Sequence, residues 1–285
     1  MKTNLKMLYI SILLPCCSVY EYPVEGQHEL IGFRCSVDNE STKSFSYMED
    51  GIIVLIYAFN ENCVYYPLNG TPLTACSTGN GVLTTNNPMS LPDGFYDFYS
   101  LSCNSSIVPT VNIYRGFTGT LENGMDYLFA SSKRKNLADE RIIYLIYKHL
   151  SSQVKISVSA GNNVTALSVK DIQFTYPSNS AVALDLSQGI VSPSQSVEAL
   201  SSIPGIGNNR TFIVLPCIAT MDILVLLDAN IDGEYISGRR FHSRIDLDFE
   251  SGSSYDITLI LNTDNTITTT CKPKGWEPLS QTITY

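Results

Sequence analysis

The chain is predicted to be all-β, folded as two antiparallel β-sandwiches in tandem, and three observations carry that expectation. Tyr (17) and Phe (11) stand among abundant Thr and Ser, and β-branched and aromatic side chains suit a pleated, half-buried surface. Short runs of strand chemistry recur with turn residues between them, and no long stretch keeps a helical period. A length of 285 residues at 44% hydrophobic supplies one large or two ordinary domains with a real core, and the strand pattern is read most economically as two sandwiches of roughly 115–145 residues. The 18 basic side chains face 27 acidic ones, a formal charge of −9. That balance excludes a nucleic-acid binder, because phosphate affinity comes from clustered Lys and Arg.

The first residues read as an export leader. Lys2 and Lys6 form a basic start and Met7 to Leu14 an apolar stretch, followed by Pro15-Cys16-Cys17-Ser18. The apolar run is about a dozen residues, whereas a membrane span needs roughly 20. A cysteine directly after such a stretch resembles a bacterial lipobox, in which the cysteine is acylated. Cys17 fits that role better than Cys16, because Pro15 would sit awkwardly before a cut at Cys16. The alternative is an ordinary cleaved secretory signal that contains two cysteines. Export permits disulfides among Cys35, Cys63, Cys76, Cys103, Cys217 and Cys271. Their spacing fixes no pairing, and burial as small apolar residues is the competing expectation.

The elements follow in order. Residues 1–17 are the leader and 18–27 a tether, with a first sandwich over 28–135 and a second over 136–285. In the first, Leu30–Val37, Ile52–Phe59 and Phe95–Leu101 have strand chemistry, and Pro92-Asp93-Gly94 is a turn signal before the third. Tyr127–Ala130 is a further strand, and the polar stretch Ser131 to Glu140 is the expected linker. The second sandwich opens with Ile142–His149, Val154–Val158, Leu167–Tyr176 and Val182–Leu186. Gln188 to Asn209, rich in Ser, Pro and Gly, reads as a long loop or excursion. Thr211–Leu215, Ile223–Leu227, Tyr235–Ser237, Tyr255–Leu261 and Thr266–Cys271 complete it. In Tyr255–Leu261 alternate residues are apolar, the period that turns one face inward. Asn262 to Asn265 reads as a hairpin turn.

Chemical motifs are sparse. Asp228-Ala-Asn230-Ile-Asp232-Gly233 copies the opening of a calcium loop, but the twelfth position is Arg239 where a bidentate Glu is required. A hairpin turn at Asp232-Gly233 is the favoured reading. His28, His149 and His242 have no metal-site spacing, and His149 reads as a packed or capping residue. No nucleophile elbow is present, and no two carboxylates stand out as a glycosidase pair. No catalytic residue, metal or cofactor is therefore expected. Tyr65, Tyr66, Tyr96 and Tyr99 could stack on sugars, although alternating aromatic residues in a sandwich usually belong to the core.

Several stretches in order resemble the fimbrillin-like lipoproteins of Bacteroidetes, which build or decorate type V pili. Leu14-Pro15-Cys16-Cys17 sits where that family has its lipobox. Leu91 to Leu101 (LPDGFYDFYSL) is similar to its "G-x-Y-x-F-Y-A" strand, with Ser100 in place of the usual Ala. Asn123–Ala130 resembles the segment before the domain junction. Tyr144–His149 with Val154–Val158 resembles the pair opening its second domain, and Phe212–Pro216 its "Y-x-V-L-P". Tyr255–Leu261 with Lys274-Gly275-Trp276 looks like its closing hairpin and terminal tryptophan.

The resemblance implies two transthyretin-like Greek-key sandwiches, a lipid anchor in the outer membrane and a non-catalytic role as fimbrial subunit, tip or accessory adhesin. It also implies other fimbrial subunits and a host or bacterial surface receptor as partners. In that family an arginine-specific protease removes an N-terminal strand, and a strand from another subunit fills the groove. Arg34, inside the first predicted strand, is either such a cut site or a surface residue of an uncut strand. Trp276 to Tyr285, in which Leu279, Gln281, Ile283 and Tyr285 alternate, is either a donor strand or the domain's own edge. The competing function is a surface glycan-binding lipoprotein, which would need an exposed platform of aromatic rings.

Overall fold

A computed structural model describes residues 30–39 and 44–276, and no helix occurs among them. The first half contains β1 (Gly32–Asn39), β2 (Ser44–Ser46), β3 (Asp50–Asn60), β4 (Leu73–Thr78) and β5 (Val82–Thr84). It continues with β6 (Phe95–Ser102), β7 (Ile113–Tyr114), β8 (Phe117–Thr118), β9 (Leu128–Asn136) and β10 (Ile142–His149). Its main sheet runs β10-β9-β6-β3-β4-β5-β1-β2, and β1 also pairs with β10, so seven strands close into a ring with β2 appended. The closing pair is parallel, from Gly32 opposite Ile142 to Val37 opposite Tyr147. Inside the ring lie Ile31, Phe33, Val54, Ile56, Phe98, Ile143, Leu145 and Tyr147, all buried.

The second half comprises β11 (Ser152–Ala160), β12 (Val164–Pro177), β13 (Leu184–Asp185), β14 (Ile190–Val191) and β15 (Val197–Ser202). After them come β16 (Asn209–Val214), β17 (Met221–Ile231), β18 (Glu234–Ile245), β19 (Ser253–Leu261) and β20 (Ile267–Gly275). Two four-stranded sheets, β16-β11-β19-β20 and β15-β12-β17-β18, enclose a core built on Ile156, Phe174, Phe212, Val225 and Ile257. Here too the opening strand has a late parallel neighbour, β11 beside β19 from Gln153–Ser254 to Ala160–Leu261. The two-residue turn Asp232-Gly233, both at positive φ, joins β17 to β18 as a hairpin. The loop from Asn262 joins β19 to β20 as the sequence predicts.

A third core joins the halves. β3 is a continuous apolar run because it is buried on both faces. Val54, Ile56 and Ala58 point into the ring, whereas Leu55, Tyr57 and Phe59 point outward beneath a small sheet, β14-β13-β8-β7. That sheet takes two strands from each half, meeting where Phe117 faces Asp185. Its underside packs Val182, Leu184, Leu186 and Val191 onto Tyr99 and Phe129. Asn123 bridges the halves further: its Nδ2 donates to the Pro177 carbonyl at 2.7 Å and its Oδ1 accepts from the Leu215 N–H at 2.9 Å.

Three sequence expectations change. Ser131 to Asn136, read as linker, is the outer half of β9; it is polar because that half is largely exposed. At its bulge Arg134 has φ 54°, and buried Asp97 accepts the Arg134 N–H at 2.7 Å. Ile142–His149, placed in the second sandwich by a boundary at 135/136, belongs to the first ring as β10, held by its long-range parallel pairing with β1. Gln188 to Asn209 is not one loop but carries β14 and β15.

Ser100, where the resembled strand pattern has Ala, has a specific partner. Its Oγ donates to the Leu55 carbonyl at 3.0 Å and meets the Tyr147 hydroxyl at 2.5 Å inside the ring. Burial pushes the Tyr147 phenol strongly upward, so it stays protonated and acts as a donor. Replacing Ser100 by Ala strands that hydroxyl and is expected to cost about 1–3 kcal/mol. The pair Ser100→Ala/Tyr147→Phe recovers most of the loss, as read by urea denaturation midpoints of the single and double variants.

Candidate assembly site

The element with the most assembly chemistry is β1, because it is the described strand nearest the N-terminus and lies in the wall of a closed ring. Alternation in Ile31-Gly32-Phe33-Arg34-Cys35 sends Ile31, Phe33 and Cys35 inward, where each is at most 5% exposed. Phe33 meets Phe98 edge-on at 5.9 Å between centroids. On one side the segment bonds to the loop between β5 and β6: Leu30 bridges Ser90 and the Ile31 N–H donates to the Met89 carbonyl at 3.0 Å. On the other the Gly32 N–H donates to the Arg141 carbonyl at 2.8 Å, and the parallel ladder to β10 follows. Removing 30–33 would therefore open a slot bounded by Met89, Leu83 and Ile143, with apolar seats at alternate positions.

Arg34 points outward and is exposed, but its backbone is paired on both sides, opposite Val82 of β5 and Tyr144 of β10. A protease reads its substrate as a free extended strand, so cutting at Arg34 requires β1 to leave one neighbour first. Cys17, Cys16, Leu279, Ile283 and Tyr285 lie outside the described residues.

Trp276 is described, and it is anchored. It is 5% exposed and stacks on His149 at 4.0 Å between centroids and 16° between planes. His149 Nδ1 lies 2.7 Å from Asp126 Oδ1, and Asp126 Oδ2 accepts from Asn104 Nδ2 at 2.7 Å. His149 thus has the packed role its sequence setting suggests. Transfer of the C-terminal tail to another molecule must begin after Trp276 or first break this stack.

The remaining motifs resolve into structure. Asp228 Oδ1 accepts the Gly238 N–H at 2.7 Å and Ser237 Oγ at 3.2 Å, and its Oδ2 meets Lys170 Nζ at 3.1 Å. The carboxylate ties a bulged hairpin together, and the Gly238 N–H with Lys170 holds its pKa below the usual value. The six described cysteines are free, and burial pushes the Cys103 and Cys217 thiols up to about 11. Tyr96 and Tyr99 are buried, whereas Tyr65 and Tyr66 are exposed. Among the described residues no three His, Cys, Asp or Glu groups converge as metal ligands.

A family model described as fimbrillin-like matches residues 44–276, and no curated protein matches the sequence. Among solved structures, a candidate cell adhesion protein from Bacteroides uniformis superposes with a TM-score of 0.61 at 13% identity, covering 89% of this chain and 100% of that one. A fimbrial protein from Bacteroides vulgatus gives 0.58 at 11% identity, over 87% and 100%. The tip fimbrial protein Mfa3 from Porphyromonas gingivalis gives 0.50 at 7% identity, over 87% and 100%.

Two measurements probe this geometry. Phe33→Ala is expected to lower stability by about 3–5 kcal/mol through the cavity it leaves, whereas the neighbouring Arg34→Ala stays within about 0.5 kcal/mol; denaturant unfolding distinguishes them. The lowered pKa of Asp228 stabilises the fold above its unfolded value and loses that effect as pH falls through the folded one. Asp228→Asn should therefore melt below the native chain at pH 7, with the gap narrowing as the pH falls below the ordinary carboxylate range.

Proposed function

The chain belongs to the fimbrillin-like family, and from that premise we propose that it is a non-catalytic outer-membrane lipoprotein, acylated at Cys17, that works in a fimbria as subunit, tip or accessory adhesin. Its partners are other fimbrial subunits, joined by strand replacement at the β1 position, and a receptor on a host or bacterial surface. Each half is a transthyretin-like sandwich in this reading. The strand order supports it: in both halves the opening strand lies parallel to a late one, β1 with β10 and β11 with β19.

One observation carries the proposal. Ile31 and Phe33 form a row of buried apolar pegs just ahead of Arg34, in a strand whose sequence continues directly from the N-terminal segment. A replacement strand regains the same backbone bonds to β10 and fills the same alternate seats, so exchange is close to balanced in energy and favours whichever strand is locally concentrated. The C-terminal tail, with Leu279, Ile283 and Tyr285 at alternate positions, is the donor this chain itself offers.

The test is digestion of the full chain with an arginine-specific protease, followed by native mass spectrometry. Cleavage after Arg34 should be slow, because β1 is paired on both sides, and should then yield a ladder of oligomers. Complete cleavage that leaves an inert monomer overturns strand replacement at β1 and leaves the anchored, non-polymerising roles.

A further inference from the structure

The outward face of the junction sheet carries a row that the assembly reading does not use. Directly opposed residues on antiparallel strands share a face, and Tyr114 faces Phe117, Phe117 faces Asp185, and Asp185 faces Ile190. The four side chains therefore stand in one line across four strands. Tyr114, Phe117 and Ile190 are 67%, 49% and 62% exposed, whereas Thr118, Leu184 and Val191 on the other face are buried. At the strand repeat the line is about 14 Å long.

The row is built rather than incidental. Arg115 and Gly116, both at positive φ, make the two-residue turn between β7 and β8. The Arg115 guanidinium sits over the Tyr114 ring at 5.2 Å and fixes its orientation. Asp185 Oδ1 accepts the Ser187 and Gln188 N–H groups and the Ser187 hydroxyl, at 2.7, 3.1 and 2.6 Å. Its carboxylate is thereby locked in place through Oδ1, and no described residue is shown bonding to Oδ2. Val64, which packs on the junction core, abuts Gly116 and supports the turn.

We propose that this row is a carbohydrate-binding platform for a neutral oligosaccharide. The Tyr114 and Phe117 rings offer flat surfaces for the C–H faces of pyranoses, while the fixed Asp185 carboxylate beside Phe117 and the Tyr114 hydroxyl at the end of the row supply hydrogen-bonding groups. A sugar presents both kinds of surface along its whole length. A protein interface core would instead be depleted of Asp at its centre. A donor strand needs an unpaired sheet edge, not the face of two-residue strands. Charge selects within the class: the carboxylate mid-row and a net charge of −9 weigh against sialylated or sulfated glycans, with the Arg115 guanidinium over Tyr114 as the opposing charge at the end of the row.

The experiment is saturation-transfer NMR and calorimetry on the full chain with cellotetraose and N-acetyllactosamine, and with 3′-sialyllactose as the anionic arm. At least one neutral sugar should bind, with Tyr114→Ala and Phe117→Ala each weakening it by about tenfold. Tyr235→Ala, an exposed tyrosine on β18, should change nothing, and 3′-sialyllactose should bind more weakly. All three variants remove exposed rings, and unchanged melting temperatures verify that each folds. The proposal is overturned if neither neutral sugar binds, if Tyr114→Ala binds like the native chain, or if the native chain dimerises through this face and Tyr114→Ala does not.

Discussion

The structure depends on β3 being buried twice. One face of a single strand lines the ring of the first half and the other roofs the junction core, so its eleven residues cannot be split between domains. A strand buried on both sides loses the solvent-facing alternation that would otherwise fix its register. Here register is set by partners instead, with the Ser100 and Ser102 hydroxyls reaching the Leu55 and Ile53 carbonyls. The junction is then a continuation of the first core rather than a surface contact, and two strands from each half complete it.

This sharing separates what the sequence made legible from what it did not. Strands with a strong local period or an apolar run, such as β3, β6, β10, β17 and β19, fall where hydrophobic patterning puts them. So do the turns at Asp232-Gly233 and Asn262, whose residues tolerate positive φ. The misread segments are those whose structure is conferred at long range. Ser131 to Asn136 is polar yet paired along β6, and β15 is exposed at nearly every position yet held by β12. The membership of β10 in the first ring rests on a parallel ladder to β1 more than a hundred residues away, which leaves no local trace.

The candidate sites divide in the same way. Arg34 in a strand was legible from chemistry alone, but its being paired on both flanks depends on ring closure. Tyr65 and Tyr66 were legible as aromatic residues on offer. Tyr114, Phe117 and Ile190 carry no sequence signal, because each sits in a strand of two residues and only the cross-strand register lines them up. The Trp276–His149 stack unites residues from the ends of two different sheets, a convergence that spacing does not encode.

That stack has an optical consequence. The chain holds a single indole, and it lies flat against an imidazole beside the seam between the two halves. Contact with the imidazole quenches the indole and burial sets its emission wavelength, so emission from the native chain reports the integrity of that stack. Loosening at the root of the C-terminal tail would brighten and red-shift the signal without any label, giving a spectroscopic clock for events at that end of the molecule.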